Sequence, residues 1–538
     1  MPKLQTNGAK QKRTTYMILL LWTAVCFALL VVDWCCWAPN RLDADMASEQ
    51  LLANLLAQEG GVMSTNWYYS TELRVLNTQL VMAPLFRLFT SWHTVRVVGS
   101  VVLILLYLAA WFWFGRSAKL KYSGLLGAGL LVLPYGALYR QYVLEGLYYI
   151  PHIAISFVVL GCAVRILRGG RRLAPAAGMV LFSFAAALGG PRQLFILNIP
   201  LTVAAALLCW LDAPPADTLR QKLANAWRTP GGALLVPTLA ADAAALAGYL
   251  VNAKVLAEKY HFQDQGYVAF TGLNLDRLQW FVNALLASFG WQEGKVFSLA
   301  ALFNLAAAAL ILFCFVFSVR LVRGKARYPL GHRLVGAFFL AGAVCFALLY
   351  GLTNSGHSDR YLLPLAILFV PLLEIMLADC TPLHRPDARG LTALLAAILL
   401  LRAGTDYRAA AVAANPNQGA AQFLVQNGYR DGYASFWDGN VMTELTDGTL
   451  NVWTLTPNSV PELRPWLQVT SHLQTPPQGK IFFVISKWEA YGERQPTTQA
   501  LADAMPEDAL IYEDKTVKIY GFASDEAMRQ ACGFAAFP

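Results

Sequence analysis

The chain has 538 residues, 57% of them hydrophobic and 14% charged, with a formal net charge of +9. An ordinary soluble protein carries about 25% charged residues, so a soluble globular class is excluded. The positive balance does not indicate nucleic-acid binding, because the basic residues sit mostly in short stretches between apolar runs, where they set membrane orientation.

Lys3, Lys10, Lys12 and Arg13 precede the first apolar run, which places the N-terminus in the cytoplasm. That run, 17–32, ends in Asp33, Trp34, Cys35 and Cys36 with no small-x-small cleavage site, so it reads as a span and not a removable signal. Apolar runs recur at 16–37, 94–114, 123–139, 149–166, 174–190, 194–211, 232–251, 297–319, 334–352, 361–379 and 390–403, about eleven spans of a multi-pass α-helical membrane protein. Arg116, Lys119 and Lys121, then Arg165, Arg168, Arg171 and Arg172, then Arg220, Lys222 and Arg228, then Arg320, Arg323, Lys325, Arg327 and Arg333, and finally Arg385 and Arg389 fall in the loops that alternation assigns to the cytoplasm. Each of those loops is basic, as the positive-inside rule requires. Of the nine cysteines, Cys26, Cys162, Cys209, Cys314 and Cys345 lie in apolar runs, and no CxxC or Cys/His spacing indicates zinc or a disulfide framework.

The opposite face receives loop 38–93, short loops near 140–148 and 191–193, loop 252–296, loop 353–360 and everything after 404. Within the first of these, Leu51, Leu52, Leu55 and Leu56 recur at helical spacing and Gly60 and Gly61 end the pattern. Within 252–296, the apolar stretch 278–291 is too short to span and reads as a re-entrant or interfacial helix. After Asp406 the pattern changes to helix-like 418–427, strand-like 433–437, helix-like 440–446, strand-like 450–455, helix-like 459–468, strand-like 480–487, helix-like 497–505 and strands near 509–513 and 516–521. That alternation predicts a small extracytoplasmic α/β domain, 404–538, following a membrane module, 1–403. It lacks a Gly-rich loop followed by Lys and Ser/Thr, so it is not read as a nucleotide site.

The outward-facing stretches carry the candidate chemistry. Loop 38–93 supplies Asp43, Asp45, Glu49 and Glu72. The next supply Arg140, Glu145, Tyr148, Tyr149 and His152, then Arg192 in GGPRQ. Loop 252–296 supplies Lys254, Lys259, His261 and Arg277, and the last short loop supplies His357, Asp359 and Arg360, with Tyr361 beside it. Carboxylates at one place and cations at several others suit an anionic lipid-linked substrate: a cation compensates phosphate, and a carboxylate takes a proton from an acceptor hydroxyl. Other readings stand beside this one. Arg360 and Tyr361 also fit an interfacial anchor, His152 a hydrogen-bonded core histidine, and Arg192 a lipid-headgroup contact. Asp242, inside a span, is expected to pair with a neighbouring helix, and Glu374 to be structural. Tyr429, Tyr433, Phe436 and Trp437 fit either sugar stacking or a small aromatic core.

An Asp just after the first span, a helix ending in glycine about fifteen residues on (Asp45 and Gly60), and Arg360-Tyr-Leu-Leu-Pro opening a late span resemble the GT-C membrane glycosyltransferases. The branch in view is the bacterial one related to protein O-mannosyltransferases and the aminoarabinose transferase. The resemblance covers 1–403 in topology and two short motifs in sequence. It implies transfer of a sugar from a polyprenyl-phosphate donor to a cell-envelope glycan, lipid or protein at the outer face of the plasma membrane. It also implies Asp45 as base and binding of the lipid phosphate by Arg360, Arg192 and Lys254, among His357, Tyr361, His152 and Glu72. Met46 departs from that branch, which has Glu there. Asp43 instead makes an Asp-x-Asp, as in the oligosaccharyltransferase branch, where such carboxylates help hold a divalent metal; Asp43, Asp45 and Glu145 are then candidate ligands for Mg or Mn. The competing function is a transporter or flippase of lipid-linked glycans, or a non-enzymatic envelope-assembly protein. Against transport stands the lack of an inverted repeat or of paired interrupted spans.

Overall fold

Hydrocarbon offers no hydrogen-bond partners, so a chain that crosses it must satisfy its backbone within helices. A computed structural model of the protein describes residues 2–169, 172–263, 268–356, 358–379, 386–456, 462–487 and 503–533. Among the described residues eight helices are long and apolar enough to cross a membrane: Arg13–Cys36, Trp92–Ala118, Ile150–Leu167, Leu194–Asp212, Pro230–Lys259, Leu299–Arg323, Leu330–Leu352 and Asp359–Leu377. Three expected spans are not among these eight. The stretch 123–139 is not one continuous helix; it contains Leu125–Leu131 and then a break before Ala137–Tyr139. The stretch 174–190 contains the 15-residue helix Leu173–Ala187, and 390–403 lies inside the 27-residue helix Pro386–Val412. Short π-helical stretches interrupt the α-helical pattern at Arg140–Glu145, Leu194–Asn198 and Asn252–Leu256.

The chain divides into two compact units. The first comprises Met1–Val32, Val102–Lys254 and Gly266–Tyr407, and the second Asp33–Val101, Val255–Gln265 and Arg408–Pro538. In the first, two carboxylates inside the spans accept hydrogen bonds. Asp242 accepts a hydrogen bond from the Thr202 hydroxyl of a neighbouring helix at 2.7 Å, and Glu374 accepts the Gly127 N–H at 2.7 Å. Helix Leu275–Ser288 buries Phe281, Ala284, Leu285 and Ser288 and exposes Asp276, Gln279 and Asn283 together with Leu275 and Val282.

The second unit carries seven strands: β1 (Trp67–Tyr68), β2 (Asp431–Ser435), β3 (Asn451–Leu455), β4 (Gln468–Val469), β5 (Ile481–Ser486), β6 (Leu510–Glu513) and β7 (Val517–Phe522). Five form one sheet in the order β3-β2-β5-β7-β6. β2 is parallel to β3 and β5, whereas β7 runs antiparallel to both β5 and β6. Parallel neighbours need a crossover, and helix Phe436–Leu445 supplies it between β2 and β3. Side chains alternate along a strand, so Phe482 and Val484 join Leu424, Ala434, Met442 and Ile519 on one face. Phe483 and Ile485 join Tyr433, Trp453, Tyr520 and Met528 on the other. This two-sided burial explains the unbroken apolar run of β5. Gly432 in β2 sits so close to the Phe482 carbonyl that a Cβ would collide with it.

The remaining expectations divide. Helix 418–427 is found at Gln418–Gln426, and the strands at 450–455, 480–487, 509–513 and 516–521 are found within a residue or two. The strand expected at 433–437 is found at Asp431–Ser435 and ends earlier, because the Ser435 side chain caps the following helix and Phe436 and Trp437 become its first turn. Helix 459–468 is corrected over its described part: Leu463 bridges Leu455, and Gln468 pairs with Tyr68. Residues 457–461 and 488–502, with much of the helix expected at 497–505, lie outside the described residues. Tyr429, Tyr433 and Phe436 are all buried, which makes them core aromatics rather than an open stacking platform.

Candidate active-site residues

The carboxylates of the second unit are organised by helix Ala44–Glu59. Asp43, extended at φ −114°, caps it, its side chain accepting the Met46 N–H at 2.8 Å. This satisfies one of the orphan donors of the first turn. Asp45 lies in that first turn, where the helix dipole favours a negative charge. Gly60 ends the helix at φ +82°, a left-handed conformation that suits glycine. One helical turn beyond Asp45, the Glu49 carboxylate accepts hydrogen bonds from Asn77 Nδ2 (2.8 Å) and the Thr78 hydroxyl, with Arg74 Nη1 at 3.7 Å. Burial pushes the Glu49 carboxyl above the usual carboxylate range. The Arg74 charge and the Thr78 and Asn77 hydrogen bonds oppose that push, while the Asp45 charge adds to it. Glu72 pairs with Arg74 at 3.4 Å.

The same unit holds a buried ion pair. Arg96 Nε and Nη2 meet the two Glu444 carboxylate oxygens at 2.5 and 2.6 Å, and Nη2 also donates to the Met46 carbonyl at 3.0 Å. Helix Ala44–Glu59, helix Trp92–Ala118 and helix Phe436–Leu445 are thereby tied together. Asn440 Nδ2 adds a hydrogen bond to Ser48 Oγ at 2.8 Å. The pair was not legible in the sequence, where Arg96 reads as the polar start of a span and Glu444 as one charge in a soluble helix.

The first unit gathers cations among aromatic rings. Pro191 precedes Arg192 and Gln193, which open helix Leu194–Asp212. Asp359–Leu362 forms a 3-10 turn whose following Leu363–Ala366 helix starts with Pro364 near its N-terminus. Tyr350 donates its hydroxyl to the Ser358 carbonyl at 3.0 Å and so fixes the approach to that turn. The Arg192 guanidinium carbon lies 4.9 Å from the Tyr361 ring centre and 5.4 Å from that of Tyr149. Arg360 lies 5.1 Å from the Tyr142 ring centre, and Tyr142 in turn packs on Tyr148 and Tyr149. His152 Nδ1 and Gln193 Oε1 are 3.1 Å apart. Arg192, Tyr361, Arg360 and His152 are thus brought to one aromatic cluster. Guanidinium–ring contacts of this kind contribute about 0.5–2 kcal/mol each.

Other expected residues fall elsewhere. Glu145, buried, pairs with Arg140 at 3.4 Å, and Arg140 also meets Asp406 at 3.1 Å. Asp406 pairs with Arg402, one helical turn away, at 3.5 Å. Arg402 and Asp406 were missed as partners, although their i,i+4 spacing was a usable signal. Lys254 is exposed on the π-helical stretch Asn252–Leu256. His357 lies outside the described residues. For the expected carboxylate metal site, among the described residues no group of three or more His, Cys, Asp or Glu side chains could hold an ion. Asp43 is committed to its cap and Glu145 to Arg140.

No protein-family model matches the sequence, and no curated protein matches it. Solved structures do. The chain is similar to ArnT from Cupriavidus metallidurans in the apo state, with a TM-score of 0.54 and 14% identity over 95% of this chain and 98% of the other. It is similar to ArnT from the same organism bound to undecaprenyl phosphate, with a TM-score of 0.54 and 12% identity over 93% and 97% of the two chains. A looser likeness, with a TM-score of 0.44 and 13% identity over 86% and 68% of the chains, is to the Archaeoglobus fulgidus oligosaccharyltransferase in complex with Zn and sulfate. That value is too low to carry weight. The ArnT likeness, over nearly the whole of both chains, shows that this chain shares the fold of ArnT, here a set of helices long and apolar enough to cross a membrane with a small sheet domain.

Proposed function

We propose that the protein is a membrane glycosyltransferase that moves a sugar from a polyprenyl-phosphate donor to a cell-envelope glycan, lipid or protein. The observation that carries this reading is the shared architecture over 93% of the chain with an ArnT structure that holds undecaprenyl phosphate. Arg360 and Arg192 bind the donor phosphate, and Lys254 assists from its exposed position. Tyr361 and His152 shape the surroundings of the two arginines. Asp45 takes the proton of the acceptor hydroxyl while that oxygen attacks the anomeric carbon. The bond from the anomeric carbon to the phosphate oxygen breaks, and its electron pair leaves on the polyprenyl phosphate, whose charge the arginines stabilise. Direct displacement of this kind inverts the anomeric centre, and a hexose is the expected sugar.

The basic N-terminal residues Lys3, Lys10, Lys12 and Arg13 support a cytoplasmic N-terminus in a plasma membrane. On that reading loop 38–93 and the domain 404–538 face outward, and the domain recognises the acceptor. The test is transfer from a panel of radiolabelled polyprenyl-phosphate sugars in membranes, wild type against Asp45→Asn. Transfer that falls by about 10²–10⁴-fold in the variant supports the enzyme and its base together. Transfer that persists moves the base elsewhere. No transfer from any donor by intact wild-type protein favours a transporter or scaffold.

A further inference from the structure

A nine-residue helix, Leu219–Trp227, lies between the end of the Leu194–Asp212 span and the start of Pro230–Lys259. It is a deliberately bounded element. The Thr218 side chain caps it by accepting the Gln221 N–H at 3.2 Å, and Thr229 caps the next helix by accepting the Gly232 N–H at 3.1 Å. Leu219, Leu223 and Trp227 recur every fourth residue, a spacing that keeps them within about 80° on the helix surface. They are 67%, 54% and 55% exposed. Ala226, beside this stripe, packs inward, and its carbonyl accepts from Cys209 Sγ at 2.9 Å.

The polar flanks of the helix are basic. Arg220 and Arg228 are exposed, and Lys222 sits with its ammonium 3.9 Å from the Trp210 ring centre. Asp212 is held by Arg333 at 2.9 Å and Lys325 at 3.8 Å, which leaves Asp217 as the exposed carboxylate before the helix. A short helix fixed between two span ends, with leucines and a tryptophan on one side and cations beside them, matches an element lying in the plane of a bilayer surface. Anionic headgroups are what those cations suit.

We propose that helix Leu219–Trp227 is an in-plane anchor that seats Leu219, Leu223 and Trp227 below the headgroups of anionic phospholipids, with Arg220, Lys222 and Arg228 pairing to the lipid phosphates. The occupant of this face is the protein's own membrane, and the inference does not depend on which reaction the protein catalyses. The experiment is amide hydrogen exchange of the full chain in nanodiscs of phosphatidylglycerol and of phosphatidylcholine. Exchange over 219–228 is about tenfold slower in phosphatidylglycerol, and the charge variant R220E/K222E/R228E brings the two lipids together. Should that variant fail to fold, L219S/L223S keeps the test: it speeds exchange of the same amides in both lipids. Equal exchange of the wild type in the two lipids overturns the proposal, as does a lipid difference that survives the charge reversal.

Discussion

The carboxylates of helix Ala44–Glu59 and the arginines around Tyr142, Tyr149 and Tyr361 hold charge in opposite ways. Asp43 and Glu49 are gripped by directional donors: one backbone N–H, one amide, one hydroxyl and a cation at 3.7 Å. Arg192 and Arg360 lie beside ring faces, 4.9 and 5.1 Å from the nearest centres. A hydrogen-bonded carboxylate is fixed in direction and its acceptor sites are used. A guanidinium against a ring is oriented through its face, and that contact engages no N–H. Under the proposed mechanism the first group neighbours the base Asp45, and the second binds the donor phosphate.

That contrast predicts different failures. Asp45→Asn has the largest effect, a loss of about 10³-fold in kcat with KM for the donor nearly unchanged. Next comes Arg96→Ala, which leaves the Glu444 carboxylate buried without its partner. It destabilises the second unit by about 3–5 kcal/mol, read from denaturant unfolding in detergent, and the double variant Arg96→Met/Glu444→Leu recovers most of that. Arg360→Ala removes a charge-assisted bond of about 1.5–3 kcal/mol. It raises KM for a polyprenyl-phosphate donor by about 10–100-fold, and an effect confined to kcat would break the comparison.

A pH effect of about 2 kcal/mol follows. Burial pushes the His472 imidazole, stacked on Trp453 at 4.0 Å, from 6.5 down to about 3. Between those values the unfolded chain binds the additional proton, so stability is lost as pH falls from 7 to 5. His472→Gln flattens that slope in thermal unfolding. Smallest is Arg192→Lys, which keeps the charge and loses the flat guanidinium. It weakens donor binding only several-fold.

What was legible in the sequence follows from what is local. The Gly60 stop and the strand at Ile481–Ser486 depend on neighbours a few residues away, and they read correctly, whereas the capping role of Asp43 was not read. Arg192 and Arg360 could be marked as candidates from their place at span ends, but their meeting at Tyr149, Tyr361 and Tyr142 depends on three separated segments. Arg96 and Glu444 are 348 residues apart, and no spacing rule links them. The broken stretch 123–139 misled because composition measures apolarity and not helical continuity. Gly136, extended before Ala137–Tyr139, interrupts it.

The π-helical stretches carry a consequence for comparing this chain with others. Each of Arg140–Glu145, Leu194–Asn198 and Asn252–Leu256 accommodates one residue more than an α-helical turn would. Beyond each one, a gapless alignment to a relative with an unbroken helix slips by one position. One position turns every side chain by about 100° on a helix. Glu145, Gln193 and Lys254 stand in or beside those slips. Equivalent residues must be matched there by the direction of the side chain and not by its place in the string.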